Sequence, residues 1–439
     1  GHHIHSRHQH GDFKLQLHRQ LCLGKIQNDV NDCRHCKHNT PKFITYVFHT
    51  YIRRHNDEVL HTWVRSLISD LRNKGGIFSA HYLGYGQFTL QHNIKFFNRN
   101  NTAIAFCFDY TYPHNRKHII DQLEDNKDAR LIWIGAEKDV FDHPRITNIF
   151  CPGDMIIDLH VYQKFNDVEK DPSNEKHWIS TSLNPRPHRI LMASLLKGLG
   201  LDKHGDLRID TQNVFIKKKG SFGDRKFVKP YSVLPTLPLF MKDQCKLSKE
   251  IENISPESSK GYEELIQKKH WGSSIFRHSD YQALGKNQNN NALNFDKNLR
   301  HLYKDKTLEV VNETLHGYEP IFVTEKVMNA VIGLNLIVMN GPAGTVKLLE
   351  DMGWNSCRHV VNHDYDDIAD PIMRSEQSIR LNLKLFSDPK HCNKVWKDCL
   401  PILRENSEWA RDRLQKQILR KCEEQVKKIA QTVGLSKTN

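Results

Sequence analysis

The sequence predicts an α/β protein built from two doubly wound domains, and three observations lead there. Its 439 residues exceed what a single core serves, since domains cluster near roughly 100–200 residues and cores stop growing beyond about 250–300. The first third alternates short apolar, β-branched runs with helical patterns, as parallel sheets with crossover helices do. A second alternation of the same kind follows a polar stretch at 166–174 that reads as a linker.

Taken in order, Phe43-Ile-Thr-Tyr-Val-Phe48 has the composition of a buried parallel strand. Residues 59–71 carry apolar side chains at helical spacing and stop at Asn73-Lys-Gly-Gly76. Strands follow at 103–108 and 131–134 with a helix at 118–124 between them. Ligands of such sheets sit beyond the carboxyl ends of the strands, which places His49, Asp109 and Tyr110 at a reactive rim. After the linker, 178–183 reads as a strand and 190–199 as a helix ending at Gly200, with Pro187 suited to a first helical turn. Residues 203–298 contain the basic run Lys217-Lys218-Lys219 with Arg225 and Lys226, and the polar tract 285–291; they read as loops or insertions. Strands at 308–311 and 336–339 flank a helix that opens at Thr324, and an apolar stripe from Trp396 to Ile429 predicts long C-terminal helices.

Composition narrows the function classes. A hydrophobic share of 38% and a charged share of 26% exclude global disorder. No run approaches the roughly 18 apolar residues that a membrane helix needs. The opening Gly-His-His-Ile-His-Ser lacks a charged region followed by an apolar core, so a cytoplasmic protein without a secretory leader is expected. Ten dispersed cysteines predict thiols rather than a disulfide framework. Cys33 and Cys36, with His35, His38 and Cys22 nearby, have metal-like spacing but no second close cysteine pair; a metal site and a loop merely rich in these residues both stay open. The excess of 64 Lys and Arg over 51 Asp and Glu, a net charge of +13, favours an anionic partner, either nucleic acid or a phosphate-rich substrate.

The chemistry concentrates between residues 309 and 354. Asn312-Glu313-Thr314 follows a strand, Thr324-Glu325-Lys326 opens a helix, and a further strand ends at Asn340-Gly341-Pro-Ala-Gly344. Thr324 is a natural N-cap, and a helix N-terminus offers unpaired N–H groups and about half a positive charge. A carboxylate such as Glu325 suits ribose hydroxyls, Lys326 suits phosphate, and glycines 341 and 344 permit close backbone approach and open the next helix toward a ligand.

This stretch resembles the C-terminal half of GT-B glycosyltransferases, particularly the fucosyltransferase-like group, and the wider pattern resembles glycosyltransferases of bacteriophages and large viruses. The elements are Asn184-Pro-Arg186-Pro-His188-Arg189, Asn312-Glu313-Thr314, Thr324-Glu325-Lys326, Gly341-Pro-Ala-Gly344-Thr345 and Asp364-Tyr365-Asp366-x-Ile368 with Arg374. The resemblance implies two Rossmann-like domains facing a cleft: a polar extension at 1–40, an acceptor domain at 41–170, a donor domain at 175–390 with an insertion near 203–300, and helices at 391–439. It implies a UDP- or GDP-sugar donor held by Arg186, Arg189, Asn312, Glu313, Thr324, Glu325, Lys326, Gly341 and Gly344. Cationic groups then stabilise the leaving diphosphate, so no metal or other cofactor is expected to be required. An inverting mechanism needs a general base, for which Asp109 and then His49 are the candidates, ahead of His81 and His114.

The same resemblance implies hydroxymethylated pyrimidines of double-stranded phage DNA as acceptor, with Lys217, Lys218, Lys219, Arg225 and Lys226 contacting the DNA and Phe222, Phe227 and Tyr231 beside them. A glycan or protein hydroxyl is the alternative acceptor. A non-catalytic nucleic-acid-binding protein is the alternative class, although no helix-turn-helix, zinc-finger or RNP signature supports it.

Overall fold

The computed structural model describes residues 43–48, 78–83, 102–107, 113–125, 131–152, 166–182, 187–209, 255–267, 300–314, 316–317 and 320–432. The chain divides into two units. One comprises Gly1–Gly135, Phe141–Ile149 and Arg420–Asn439, the other Ala136–Val140 and Phe150–Leu419.

In the first unit β1 (Phe43–Phe48), β2 (Phe78–Leu83), β3 (Thr102–Cys107), β4 (Leu131–Gly135) and β5 (Ile146–Phe150) form one sheet in the order β2-β1-β3-β4-β5. β1 pairs in parallel with both β2 and β3, and β3 in parallel with β4. Helix α1 (Pro113–Glu124) crosses from β3 to β4, and Ile119 and Leu123, four residues apart on one face, are fully buried. The predicted strands at 43–48, 103–108 and 131–134 are present. β2 and β5 were not legible, because Phe78-Ser-Ala-His-Tyr-Leu83 and Ile146-Thr-Asn-Ile-Phe150 break their apolar runs with polar residues.

The second unit is built on a four-stranded sheet of order β7-β6-β8-β9, from β6 (Trp178–Ser182), β7 (Gly205–Ile209), β8 (Leu308–Asn312) and β9 (Leu336–Asn340). Its three pairings are all parallel. β8 and β9 are buried along their whole length, which is why they read as continuous apolar runs. The chain enters at β6, steps one way to β7 and returns the other way to β8 and β9, so the order reverses between β6 and β8. Open α/β sheets bind ligands at such a reversal, beyond the carboxyl ends of the strands.

The helices of this unit are α2 (Pro187–Gly198), α3 (Pro256–Gln267), α4 (Glu325–Ile332), α5 (Thr345–Asp351), α6 (Pro371–Arg380), α7 (Leu383–Ser387) and α8 (Pro389–Glu408). A π-helical turn, Trp409–Arg413, then leads into α9 (Leu414–Thr432). Two elements fall in the segment read as loops. β7 offers only two apolar residues in Gly205-Asp-Leu-Arg-Ile209, and α3 has Gly261 in its middle. Both glycines are there for packing. A Cβ on Gly205 would overlap the Trp178 ring, and one on Gly261 would overlap the Ser194 carbonyl on α2.

Among the described residues no helix is long and apolar enough to cross a membrane. Cys151, Cys357, Cys392 and Cys399 are buried thiols without disulfides, as the dispersed cysteines predict.

Candidate functional site

The second unit's sheet brings three of the sequence elements to one edge. β8 ends at Asn312, β9 ends opposite it at Asn340, and the two asparagines are register partners. Asn340 Nδ2 donates to Asn312 Oδ1 at 2.6 Å, and Asn312 Nδ2 donates to Ser180 Oγ of β6 at 2.9 Å. Three neighbouring strands are thereby tied together by side chains where their backbone ladder stops.

Glu313 follows as the next residue and is fully buried. Its carboxylate accepts from the Thr324 N–H at 3.0 Å, from Thr324 Oγ1 at 2.7 Å and from the Thr314 N–H at 3.1 Å. Burial pushes its pKa upward, while Lys326 and the Thr324 bonds oppose that rise. Thr324 is the N-cap of α4, as predicted, with Oγ1 accepting from the Lys326 N–H at 3.4 Å. The approach to this cap is held by a short antiparallel bridge between Glu137 and Phe322, with Lys138 N–H donating to the Ile321 carbonyl at 2.8 Å.

Above this buried layer stand two partly exposed charges. Lys326 Nζ lies 3.1 Å from Glu325 Oε1, 3.0 Å from Thr324 Oγ1 and 3.4 Å from Thr314 Oγ1. Its side chain is 23% exposed and that of Glu325 is 27% exposed, so both reach solvent at the carboxyl edge while Asn312, Glu313 and Thr324 lie beneath. An ammonium and a carboxylate on a helix N-terminus, backed by a fixed polar layer, can engage phosphate and hydroxyl groups together.

The remaining predicted residues divide. Arg189, at the start of α2, is buried, and its Nη2 lies 3.3 and 3.2 Å from the carbonyl oxygens of Asn312 and Glu313. Gly341 packs beside Glu313, where an added Cβ would come 3.5 Å from the Glu313 side chain and 3.3 Å from Thr345 Oγ1. Gly344 has φ of 78°, so glycine serves there for a left-handed turn before α5. The expectation that these glycines open α5 onto a ligand is not met. The Asp366 carboxylate takes the N–H groups of Val346 at 3.2 Å and Lys347 at 3.0 Å, so the protein's own anion fills the N-terminus of that short helix.

Sequence reasoning gave no role to Arg374, Ser375 and His316. The Arg374 guanidinium is buried and donates to the carbonyls of Gly341 at 2.9 Å, Ile368 at 2.5 Å, Ala369 at 3.1 Å and His316 at 2.6 Å, lashing α6 to the glycine turn. Ser375 Oγ donates to Asn340 Oδ1 at 2.8 Å and lies 2.8 Å from His316 Nε2. Burial and the Arg374 charge hold the His316 pKa well below the ordinary value. The only prior signal for this layer was the matched pattern carrying Asp366 and Arg374.

Asp109, His49, Arg186, Lys217, Lys218, Lys219, Arg225, Lys226, the Cys33–Cys36 region, the helix at 59–71 and the tract at 285–291 lie outside the described residues. His81 and His114 fall in β2 and α1, whose backbone alone is described there. Among the described residues no group of three or more His, Cys, Asp or Glu side chains is placed to hold a metal ion.

Neither a family model nor a curated protein matches the chain. Among solved structures, one titled "OtsA apo structure" aligns over 84% of this chain and 97% of its own at 8% identity, with a TM-score of 0.35. That score is too low to carry a fold or an activity over to this protein.

Proposed function

We propose that this protein is a glycosyltransferase that moves a sugar from a nucleoside-diphosphate sugar to a hydroxyl acceptor. The observation that supports it most is the pair Glu325 and Lys326, partly exposed on the N-terminus of α4 at the carboxyl edge of a parallel sheet whose strand order reverses beside them. Lys326 neutralises a phosphate oxygen, Glu325 accepts from ribose hydroxyls, and Arg186 supplies a further cation. In the transfer step the acceptor hydroxyl gives its proton to a base, proposed as Asp109 or His49. Its oxygen bonds to the anomeric carbon, and the carbon–oxygen bond to the diphosphate breaks with its electron pair leaving on phosphate. Lys326 and the α4 N-terminus stabilise that charge without requiring a divalent ion. Hydroxymethylated pyrimidine in duplex DNA is the acceptor favoured by the net charge of +13.

Calorimetric titration with UDP and GDP tests the donor site. Binding by one of them, weakened about tenfold or more in Lys326→Met, is expected from the loss of a charge-assisted contact. Absence of binding by either, together with tight, salt-sensitive binding of DNA duplex, would instead identify a non-catalytic nucleic-acid binder. Incubation with labelled nucleotide sugars and either hydroxymethylcytosine DNA or an oligosaccharide separates the acceptors, and transfer to the saccharide alone removes DNA.

A further inference from the structure

The bonds that hold Glu313 are not confined to its carboxylate. Its carbonyl oxygen lies 2.8 Å from His188 Nε2 and 3.2 Å from Arg189 Nη2, and its own N–H donates to the Asn340 carbonyl at 3.0 Å. A carbonyl only accepts, so His188 must carry its proton on Nε2. His188 is fully buried, and its ring stacks on that of His316 with centroids 5.0 Å apart and planes 3° from parallel. Because Ser375 Oγ gives its one proton to Asn340 Oδ1, it accepts from His316 Nε2, which fixes that ring in the same tautomer. Asn340 returns to Asn312 beside Glu313. The contacts close a loop through the start of α2, the ends of β8 and β9, and α6.

We propose that His188 is a positioning residue: by holding the main-chain carbonyl of Glu313, it sets the direction of the Glu313 carboxylate and, through Thr324, the height of Lys326 at the carboxyl edge. The role of Lys326 in holding a diphosphate rests on the function proposed above; the orientation of Glu313 does not. A buried side chain that only filled space would be replaced equally well by any residue of similar shape. One that orients a peptide must supply an N–H. Glutamine and methionine are nearly isosteric, and only glutamine has that donor.

The test compares His188→Gln with His188→Met in the full-length protein. Hydrogen exchange at the Thr314 and Thr324 amides, both donors to the Glu313 carboxylate, reads the orientation directly, and calorimetric titration with UDP and GDP reads its consequence. Exchange at the two amides is expected to rise about tenfold in His188→Met and to return near wild type in His188→Gln, the scale of one buried hydrogen bond. Nucleotide affinity is expected to follow the same order. Equal exchange in the two variants overturns the proposal, as does faster exchange in both. If wild type binds neither nucleotide while the exchange pattern appears, the donor-site assignment falls and the positioning role of His188 stands. Should His188→Met fail to fold, Ser375→Ala releases the same loop at its far side. It is then expected to speed exchange at Thr314 and Thr324, and unchanged exchange there overturns the proposal.

Discussion

Buried carboxylates carry much of the second unit's character, and Glu309 shows what one costs. It is the second residue of β8, where Tyr303 Oη at 3.2 Å and Asn335 Nδ2 at 3.5 Å are its hydrogen-bond donors. Burial pushes its pKa up to about 8 from an ordinary 4.5. Nearby Lys170, donating at 2.7–2.8 Å to the Tyr303 and Lys306 carbonyls and to Asn335 Oδ1, is lowered by burial to about 7. The folded state therefore holds a proton on Glu309 that the unfolded chain releases near 4.5. That contribution is complete below pH 4.5 and is lost as pH rises through 8, with a limiting slope of roughly 1.4 kcal/mol per pH unit. Replacing Glu309 by Gln keeps the shape and removes the titration. Melting temperatures between pH 4.5 and 8 are expected to show the variant gaining on wild type steadily as pH rises; a constant difference would place the proton elsewhere. None of this was legible in sequence, where Leu308-Glu-Val-Val reads as a strand with one polar residue. A strand pattern says which face a residue points to, not whether that face is covered by Lys170 from a segment more than a hundred residues away.

Elements were legible where a local rule acts. Thr324 could be read as an N-cap because capping needs one hydroxyl beside the first apolar turn, and β8, α4 and β9 announce themselves by continuous or periodic apolar residues. Helix α3 escaped because its determinants lie in another helix. Gly261 lowers its intrinsic helix propensity, yet Gly261 and Gly198 are what let α3 lie on α2, since a Cβ on either would run into backbone of the other helix. Backbone cannot swing aside as a long side chain can. Alanine at 261 is favoured by propensity and opposed by packing, and packing wins: Gly261→Ala is expected to lower stability by about 1–3 kcal/mol in urea titration. A gain in stability would mean that α3 is held off α2 in solution. The polar layer of the candidate site was half legible on the same grounds. The strand-end asparagines and the Thr-Glu-Lys start could be named from sequence, whereas their partners Ser180, His316, Arg374 and Ser375 come from three separate segments that only the sheet and α6 bring together.

At the scale of the whole molecule, the residues proposed to hold the donor all fall in one unit, and that localisation has a measurable consequence. A ligand that binds only the folded state stabilises it by an amount set by its concentration over its dissociation constant, about 2.7 kcal/mol at a hundredfold excess. Only openings that break the site feel that gain, because local unfolding is graded across a structure. The candidate contacts lie on the 312–326 connection and α4, which share the sheet order β7-β6-β8-β9, while β1 and β3 belong to the other unit's sheet. With saturating nucleoside diphosphate, amide exchange is therefore expected to slow at 312–314 and 324–328 and to stay unchanged in β1 and β3. Protection spread evenly over both units would point to a site outside the carboxyl edge of β8. Protection confined to β1 and β3 would move the donor to the first unit and leave Glu325 and Lys326 as an ordinary capped helix start.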